Sequence, residues 1–180
     1  MTRHIDALFN LKGRGAIVTG GSRGLGLQMA QALGEAGARV LLAARKADEL
    51  EAAASALQNQ GIDAHWVAAN CADEADLKRL TQEAMTKLGT IDVLVNNAGA
   101  AWGAPAESHP VDAWDKVMNL NVRGYFILSQ AVGNACMLQR KQGSIINLAS
   151  IAGLGGNPAD MTTLAYNTSK GAVVNFTRTL

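Results

Sequence analysis

Tyr166 and Lys170 stand four residues apart in a stretch, 163–180, whose apolar spacing is helical, so their side chains share one face. Val173 and Thr177 continue that face. A phenol titrates at about 10 and is a weak proton donor at neutral pH, but a nearby ammonium favours the phenolate and brings a tyrosine into range for acid–base work. Taken singly, such a pair is an ordinary pair of helical neighbours. Ser150 follows an apolar run and is suited to orient a substrate oxygen, or simply to start a loop. Asn121 falls on the apolar stripe of another helical segment, where an amide needs partners; a satisfied structural asparagine competes with a catalytic one.

A second group of residues suits a phosphate-bearing ligand. Gly20, Gly24 and Gly26, with Ser22, Arg23 and Leu25 between them, lie where a short apolar run passes into a helical pattern. Glycine lets the backbone approach a ligand closely, and a helix start offers unpaired N–H groups and a positive dipole end. A ligand-free tight turn is the plain alternative. Ala44 and Arg45 end the second apolar run. An acid there suits a ribose 2′-hydroxyl and an arginine a 2′-phosphate, so Arg45 with Arg23 favours NADP(H) over NAD. Asn70 and Cys71 follow the third run, Asn97, Ala98 and Gly99 the fourth, and Ser150 the fifth. These five ends carry small or polar groups, which aligned ligand contacts would explain.

The elements that must position these residues alternate along the chain. Apolar runs at 16–19, 39–44, 64–68, 91–95 and 144–148 predict strands. Between them, helical spacing runs from Leu25, then through Leu50, Ala53, Ala54 and Leu57, then from the N-cap candidate Asp73, and Pro110 is placed to open a long helix with Trp114, Val117, Met118, Val122 and Tyr125 on its stripe. Nearly continuous apolar strands suit a parallel sheet covered on both faces. The expected fold class is therefore α/β: a doubly wound parallel sheet of Rossmann type in three αβα layers. Residues 1–180 read as a single domain, with no repeat and no linker.

Composition excludes several other classes. The net charge of +1 leaves no field for nucleic acid or an anionic membrane surface, and the 48% apolar content rules out disorder. No run approaches the roughly 18 apolar residues of a spanning helix, and the first 12 residues carry no secretory signature, so a cytoplasmic protein is expected. Cys71 and Cys136 are far apart and read as small buried hydrophobes. His4, His65 and His109 are scattered without metal-ligand spacing, so no metal site is expected, and His109 reads as a solvated loop residue.

Together, Thr19-Gly20-x-x-x-Gly24-x-Gly26, Asn96-Asn97-Ala98-Gly99, Asn121, Ser150 and Tyr166-x-x-x-Lys170 resemble the short-chain dehydrogenase/reductase family from about residue 10 onward. The resemblance implies a Rossmann-type fold, an NADP(H) cofactor and an Asn121, Ser150, Tyr166, Lys170 active site. In it, Tyr166 protonates the substrate oxygen, Lys170 lowers the tyrosine pKa and holds the nicotinamide ribose, and Asn121 keeps a relay water. Tyr166 and Lys170 therefore also count as cofactor contacts. Within the family the sequence is most similar to bacterial 3-oxoacyl thioester reductases, including the rhamnolipid-pathway type. Gluconate 5-dehydrogenase-like members are also similar, which keeps a sugar-acid or polyol dehydrogenase as an alternative. The implied partners are a ketone or 3-oxoacyl thioester and further copies of the chain, as a dimer or tetramer through the two long helices.

Three departures stand out. Asn70 replaces an aspartate that reads the adenine amino group in many members. The stretch from Ser150 to Tyr166 is a few residues longer than usual. The family's sixth and seventh strands and substrate lid are absent from the 180 residues, so the domain reads as truncated, and a dinucleotide-binding module without turnover is the alternative of another class.

Overall fold

The computed structural model describes residues 8–158 and 160–180. His4 and most of the N-terminal segment read for a leader lie outside the described residues. β1 (Gly15–Thr19), α1 (Gly24–Glu35), β2 (Arg39–Ala44), α2 (Ala47–Gln58), β3 (Ala64–Ala68), α3 (Glu74–Leu88) and β4 (Val93–Asn96) follow one another in strict alternation. A long helix, α4, then occupies residues 111–140. Its α-helical pieces Val111–Met118, Gly124–Val132 and Leu138–Arg140 are separated by wider π turns at Asn119–Arg123 and Gly133–Met137. β5 (Ser144–Asn147) and α5 (Leu164–Thr179) complete the order. The sheet is parallel throughout, in the order β3-β2-β1-β4-β5.

Successive strand residues point to opposite faces, and both faces are covered. Ile17, Leu41, Ala43 and Leu94 pack with Leu77, Leu80 and Leu88 of α3 and Leu128 and Val132 of α4. Val18, Val40 and Leu42 pack with Ala30 of α1 and Leu50, Ala54 and Leu57 of α2. Each fully buried leucine contributes about 2 kcal/mol of burial. The fold is thus the three-layer, doubly wound arrangement that the alternation implied. Among the described residues, no helix is long and apolar enough to cross a membrane.

Local chemistry sets the boundaries. Asp73 caps α3 by accepting from the Asp76 N–H at 2.9 Å, Glu74 and Asp76 meet the positive end of the helix, and Gly89 closes it at φ +70°. The predicted fourth strand began at Ile91, whereas β4 begins at Val93. Asp92 accounts for this: its buried carboxylate accepts from Gly15 N–H (3.0 Å), Arg14 Nη1 (2.9 Å) and Arg140 Nη2 (3.0 Å), stapling the starts of β1 and β4 to the end of α4. The fifth strand also departs from expectation. Ile146 is 44% exposed and Ser144 is exposed: this edge strand is packed on one face, where Ile145 joins the cluster of α3 and α4, and open on the other.

Burial alone would raise the Asp92 pKa, but the Gly15 N–H and the two guanidiniums outweigh it and hold the carboxyl below its ordinary range. A depressed carboxylate stabilises the fold fully above its unfolded value of about 3.9, and that stability is lost as pH falls through the lower folded value. Asp92→Asn is expected to lower unfolding stability by about 2 kcal/mol at neutral pH, with the gap from the parent closing as pH falls below the ordinary carboxylate range. Urea unfolding across pH checks this; equal stability at neutral pH would contradict it.

Candidate active site

β1 and β4 are neighbours whose chains leave in opposite directions, to β2 on one side and β5 on the other, so a crevice opens beyond their carboxyl ends. Polar groups lock the crevice floor. Thr19 Oγ1 donates to Val95 O (3.2 Å) and accepts from the N–H groups of Asn97 (2.9 Å) and Ala98 (3.0 Å), so all its capacity is used. Asn97 Nδ2 reaches back to Thr19 O at 2.9 Å and Gly20 O at 3.4 Å.

The glycine turn needs its glycines. Gly20 sits at φ +65°, and a Cβ on Gly26 would lie 2.2 Å from Gly20 O, so α1 rests directly on the turn. α1 has no side-chain cap and no acid in its first turn, unlike α3. Its first N–H groups and positive dipole end are therefore left to an anion.

Gly20, Ser22, Arg23, Gly24, Arg45, Asn70, Cys71, Asn97, Ala98 and Gly99 line one cavity of about 870 Å³ at these strand ends. Of the other expected cofactor residues, Gly26 lies under the turn, Leu25 is 69% exposed, and Tyr166 and Lys170 stand outside the lining. Lys46, Glu49, Lys116, Asn119 and Leu120 line the cavity too and were not anticipated. The Arg45-Lys46 pair and the acid four residues after Arg45 are the signal that was available for the first two. Asn70 Oδ1 accepts from Ala72 N–H at 3.1 Å, within its own turn. Cys71 is buried and burial pushes its thiol up to about 12, which suits a packing residue rather than a nucleophile.

Lys170 sits between the end of β5, α4 and α5. Lys170 is 4% exposed, its ammonium donates to Leu148 O, and it lies 5.7 Å from the Tyr166 ring centroid and 5.6 Å from that of Tyr125. Burial lowers its pKa. Ser150 Oγ accepts from Ala152 N–H at 3.2 Å and opens the short turn Ile151–Gly153. A Cβ on Gly153 would lie 2.5 Å from the Lys170 carbonyl carbon, so this turn packs directly on α5 at the lysine. Tyr125, read only as a stripe residue, is 2% exposed; among the described residues its hydroxyl has no hydrogen-bond partner, and burial raises its pKa.

Asn121 is fully buried within the first π turn. Its Oδ1 accepts from Ala100 N–H (2.8 Å), and its Nδ2 donates to Ala100 O (2.9 Å) and to Ser169 Oγ (2.9 Å). The amide thus ties the loop after β4 to the residue beside Lys170.

His109 differs from the sequence expectation. Both its ring nitrogens are shut from solvent without a hydrogen-bond partner among the described residues, and the ring meets Trp114 edge-on at 6.4 Å. The preceding loop is joined to the segment before α5 by Ala104 N–H on Thr162 O (2.8 Å). Among the described residues, no cluster of three or more metal-ligating side chains is present.

A family model described as short chain dehydrogenase matches residues 14–180. A rhamnolipids-biosynthesis 3-oxoacyl-[acyl-carrier-protein] reductase from Pseudomonas aeruginosa is 41% identical over 96% of this chain and 67% of its own length. Gluconate 5-dehydrogenase from Gluconobacter oxydans is 36% identical over 95% of this chain and 65% of its own. Among solved structures, a gluconate 5-dehydrogenase from Burkholderia cenocepacia in complex with NADP and tartrate superposes with a TM-score of 0.90 at 34% identity, covering 98% of this chain and 68% of that one. The chain spans about two thirds of the length of the curated relatives it matches.

The Asn121 clamp predicts an order of effects. Asn121→Ala removes three hydrogen bonds and leaves Ala100 N–H unpaired, for a loss of about 2–3 kcal/mol, whereas Ser169→Ala removes two, from Asn121 Nδ2 and to Tyr166 O, and leaves the Ala100 clamp in place, for about 1 kcal/mol. Chemical denaturation of both variants checks this, and an equal or reversed order would contradict the clamp.

Proposed function

This chain belongs to the short chain dehydrogenase family, and from that premise we propose that it works as an NADP(H)-dependent oxidoreductase on a ketone or secondary alcohol. One observation carries the reading. An uncapped, acid-free helix start in a glycine turn and a buried lysine beside a tyrosine ring are both built at the carboxyl ends of a single parallel sheet. Residues 1–180 are taken as one dinucleotide-binding domain.

The residues present fit a dinucleotide. Gly20 is held at positive φ by its turn, α1 offers free N–H groups to a pyrophosphate, and Arg23 and Arg45 line the same cavity as candidates for the 2′-phosphate. When bound, the cofactor supplies the hydride. The chain's own work is binding, orientation and proton transfer. Ser150 orients the substrate oxygen by hydrogen bonding. Tyr166 gives that oxygen its proton, and Lys170 favours the phenolate that remains. The Leu148 carbonyl and the ring of Tyr125 fix the position of the lysine. Asn121 holds the Ala100 loop and, through Ser169, the turn of α5 that carries Lys170.

The preferred substrate class is a 3-oxoacyl thioester, supported by the 41% identity to the P. aeruginosa reductase. A sugar acid or polyol is the second reading, supported by the gluconate 5-dehydrogenase relatives. Two free cysteines suit a reducing, cytoplasmic setting. Pairing of copies through α4 and α5 is the expected assembly, with Phe126 of α4 (49% exposed) and Leu164 of α5 (43%) among the apolar groups available for contact.

Tyr166→Phe is expected to lower the rate of NADPH-dependent carbonyl reduction at least about a hundredfold while NADPH binding survives. Steady-state kinetics on a panel of 3-oxoacyl thioesters and sugar acids, paired with NADPH fluorescence titration, reads both quantities. Retained turnover in this variant would overturn the assignment.

A further inference from the structure

The cations gathered at the end of β2 have an internal competitor. Arg45 and Lys46 follow the strand, Arg23 comes from the glycine turn, and all three line the cavity together with Ser22. Glu49, in the first turn of α2, lines it as well. Lys46 Nζ donates to Glu49 Oε1 at 2.6 Å, and Ser22 Oγ donates to Glu49 Oε2 at 3.3 Å. The Glu49 side chain is 27% exposed. The Lys46 hydrogen bond, with the charges of Lys46 and Arg23, outweighs partial burial and holds the Glu49 carboxyl below its usual range, so it is an anion at neutral pH.

We propose that Glu49 is a specificity-determining residue: an internal anion that occupies Lys46 and Ser22, weakens binding of an adenosine 2′-phosphate and so narrows the discrimination between NADPH and NADH. The inference rests on the NADP(H) reading above and deepens it. Four cations, Arg23, Arg45, Lys46 and Lys116, and one carboxylate line the cavity. A phosphate monoester carries a charge of about −1.5 to −2, so it gains from each cation and is repelled by the carboxylate. The one hydroxyl proton of Ser22 is on Glu49 and must be exchanged, and Lys46, with one of its three ammonium protons on Glu49, shares its charge with that carboxylate. A ligand with a 2′-hydroxyl carries no such charge and does not need those donors. Removing Glu49 therefore acts on the phosphorylated cofactor and spares the other.

A purely structural role makes a different forecast. Lys46 and Glu49 form an exposed i,i+3 pair, and the acid meets the positive end of α2. On that account a substitution shifts stability slightly and leaves the cofactor ratio alone.

The test is isothermal titration of the full chain with NADPH, NADH, adenosine 2′,5′-bisphosphate and adenosine 5′-monophosphate, for the parent, Glu49→Gln, Glu49→Ala and Arg45→Asp. Both Glu49 variants are expected to bind NADPH and the bisphosphate about fivefold tighter, with NADH within about twofold of the parent. Arg45→Asp is expected to lose the preference for the 2′-phosphate. If the parent prefers NADPH and Arg45→Asp abolishes that preference, an unchanged or smaller NADPH-to-NADH affinity ratio in the Glu49 variants overturns the role of Glu49 alone. If the parent binds the bisphosphate no better than the monophosphate and Arg45→Asp changes nothing, the 2′-phosphate reading falls and the Glu49 proposal falls with it.

Discussion

The hydroxyl of Thr19 joins the two strands whose divergence opens the crevice. It is 98% buried as a residue, donates to Val95 O and accepts from the two N–H groups that follow β4. Asn97 returns the connection by donating to Thr19 O and Gly20 O. One threonine and one asparagine thus satisfy the backbone groups that the end of the ladder leaves over. In a buried setting, each unsatisfied group would cost about 1–3 kcal/mol. The same bonds fix the height of the glycine turn relative to Asn97, Ala98 and Gly99, and so the width of the cavity that both sides line.

A second polar knot repeats this logic further along the sheet. Asn121 holds the loop after β4 by both backbone groups of Ala100 and spends its remaining proton on Ser169. Lys170, next in sequence, is tied to Leu148 at the end of β5. The ends of β4 and β5 are therefore bound to α4 and α5 by side chains rather than by sheet pairing. This matters most at β5, an edge strand with one strand neighbour. The π turn at Asn119–Arg123 widens α4 at the position of Asn121. Such turns are frequent at functional sites.

Much of this was legible in the sequence. Continuous apolar runs and glycine stops marked β1, β2 and β3 to within a residue, because burial on both faces leaves an unambiguous pattern. Asp73 announced the start of α3 through its capping chemistry. The features that escaped depend on tertiary neighbours. The π turns leave no periodic trace, since a single widened turn only shifts the phase of the apolar stripe. Asp92 interrupts an apolar run because its partners, Arg14 and Arg140, lie 78 and 48 residues away. His109 is shut from solvent against Trp114, a ring contact that local composition does not show. Lys46 and Glu49 look like ordinary helix-start charges until the cavity brings them beside Arg23. The glycine turn, the Asn96–Gly99 stretch and the Tyr166–Lys170 spacing carried the functional reading at sequence level, and the fold sets the first two against one crevice and the third beside Leu148 and Tyr125.

The central claim is that the strand-end crevice holds NADP(H) with its 2′-phosphate on the arginines and its nicotinamide end toward the buried lysine. A crystal structure of the chain grown with NADP⁺ tests it most directly. The account predicts the adenosine 2′-phosphate within hydrogen-bonding reach of Arg23 and Arg45, the pyrophosphate at the start of α1, and the nicotinamide ribose beside Tyr166 and Lys170. A dinucleotide seated elsewhere on the chain, or one whose 2′-phosphate points away from both arginines, would contradict it.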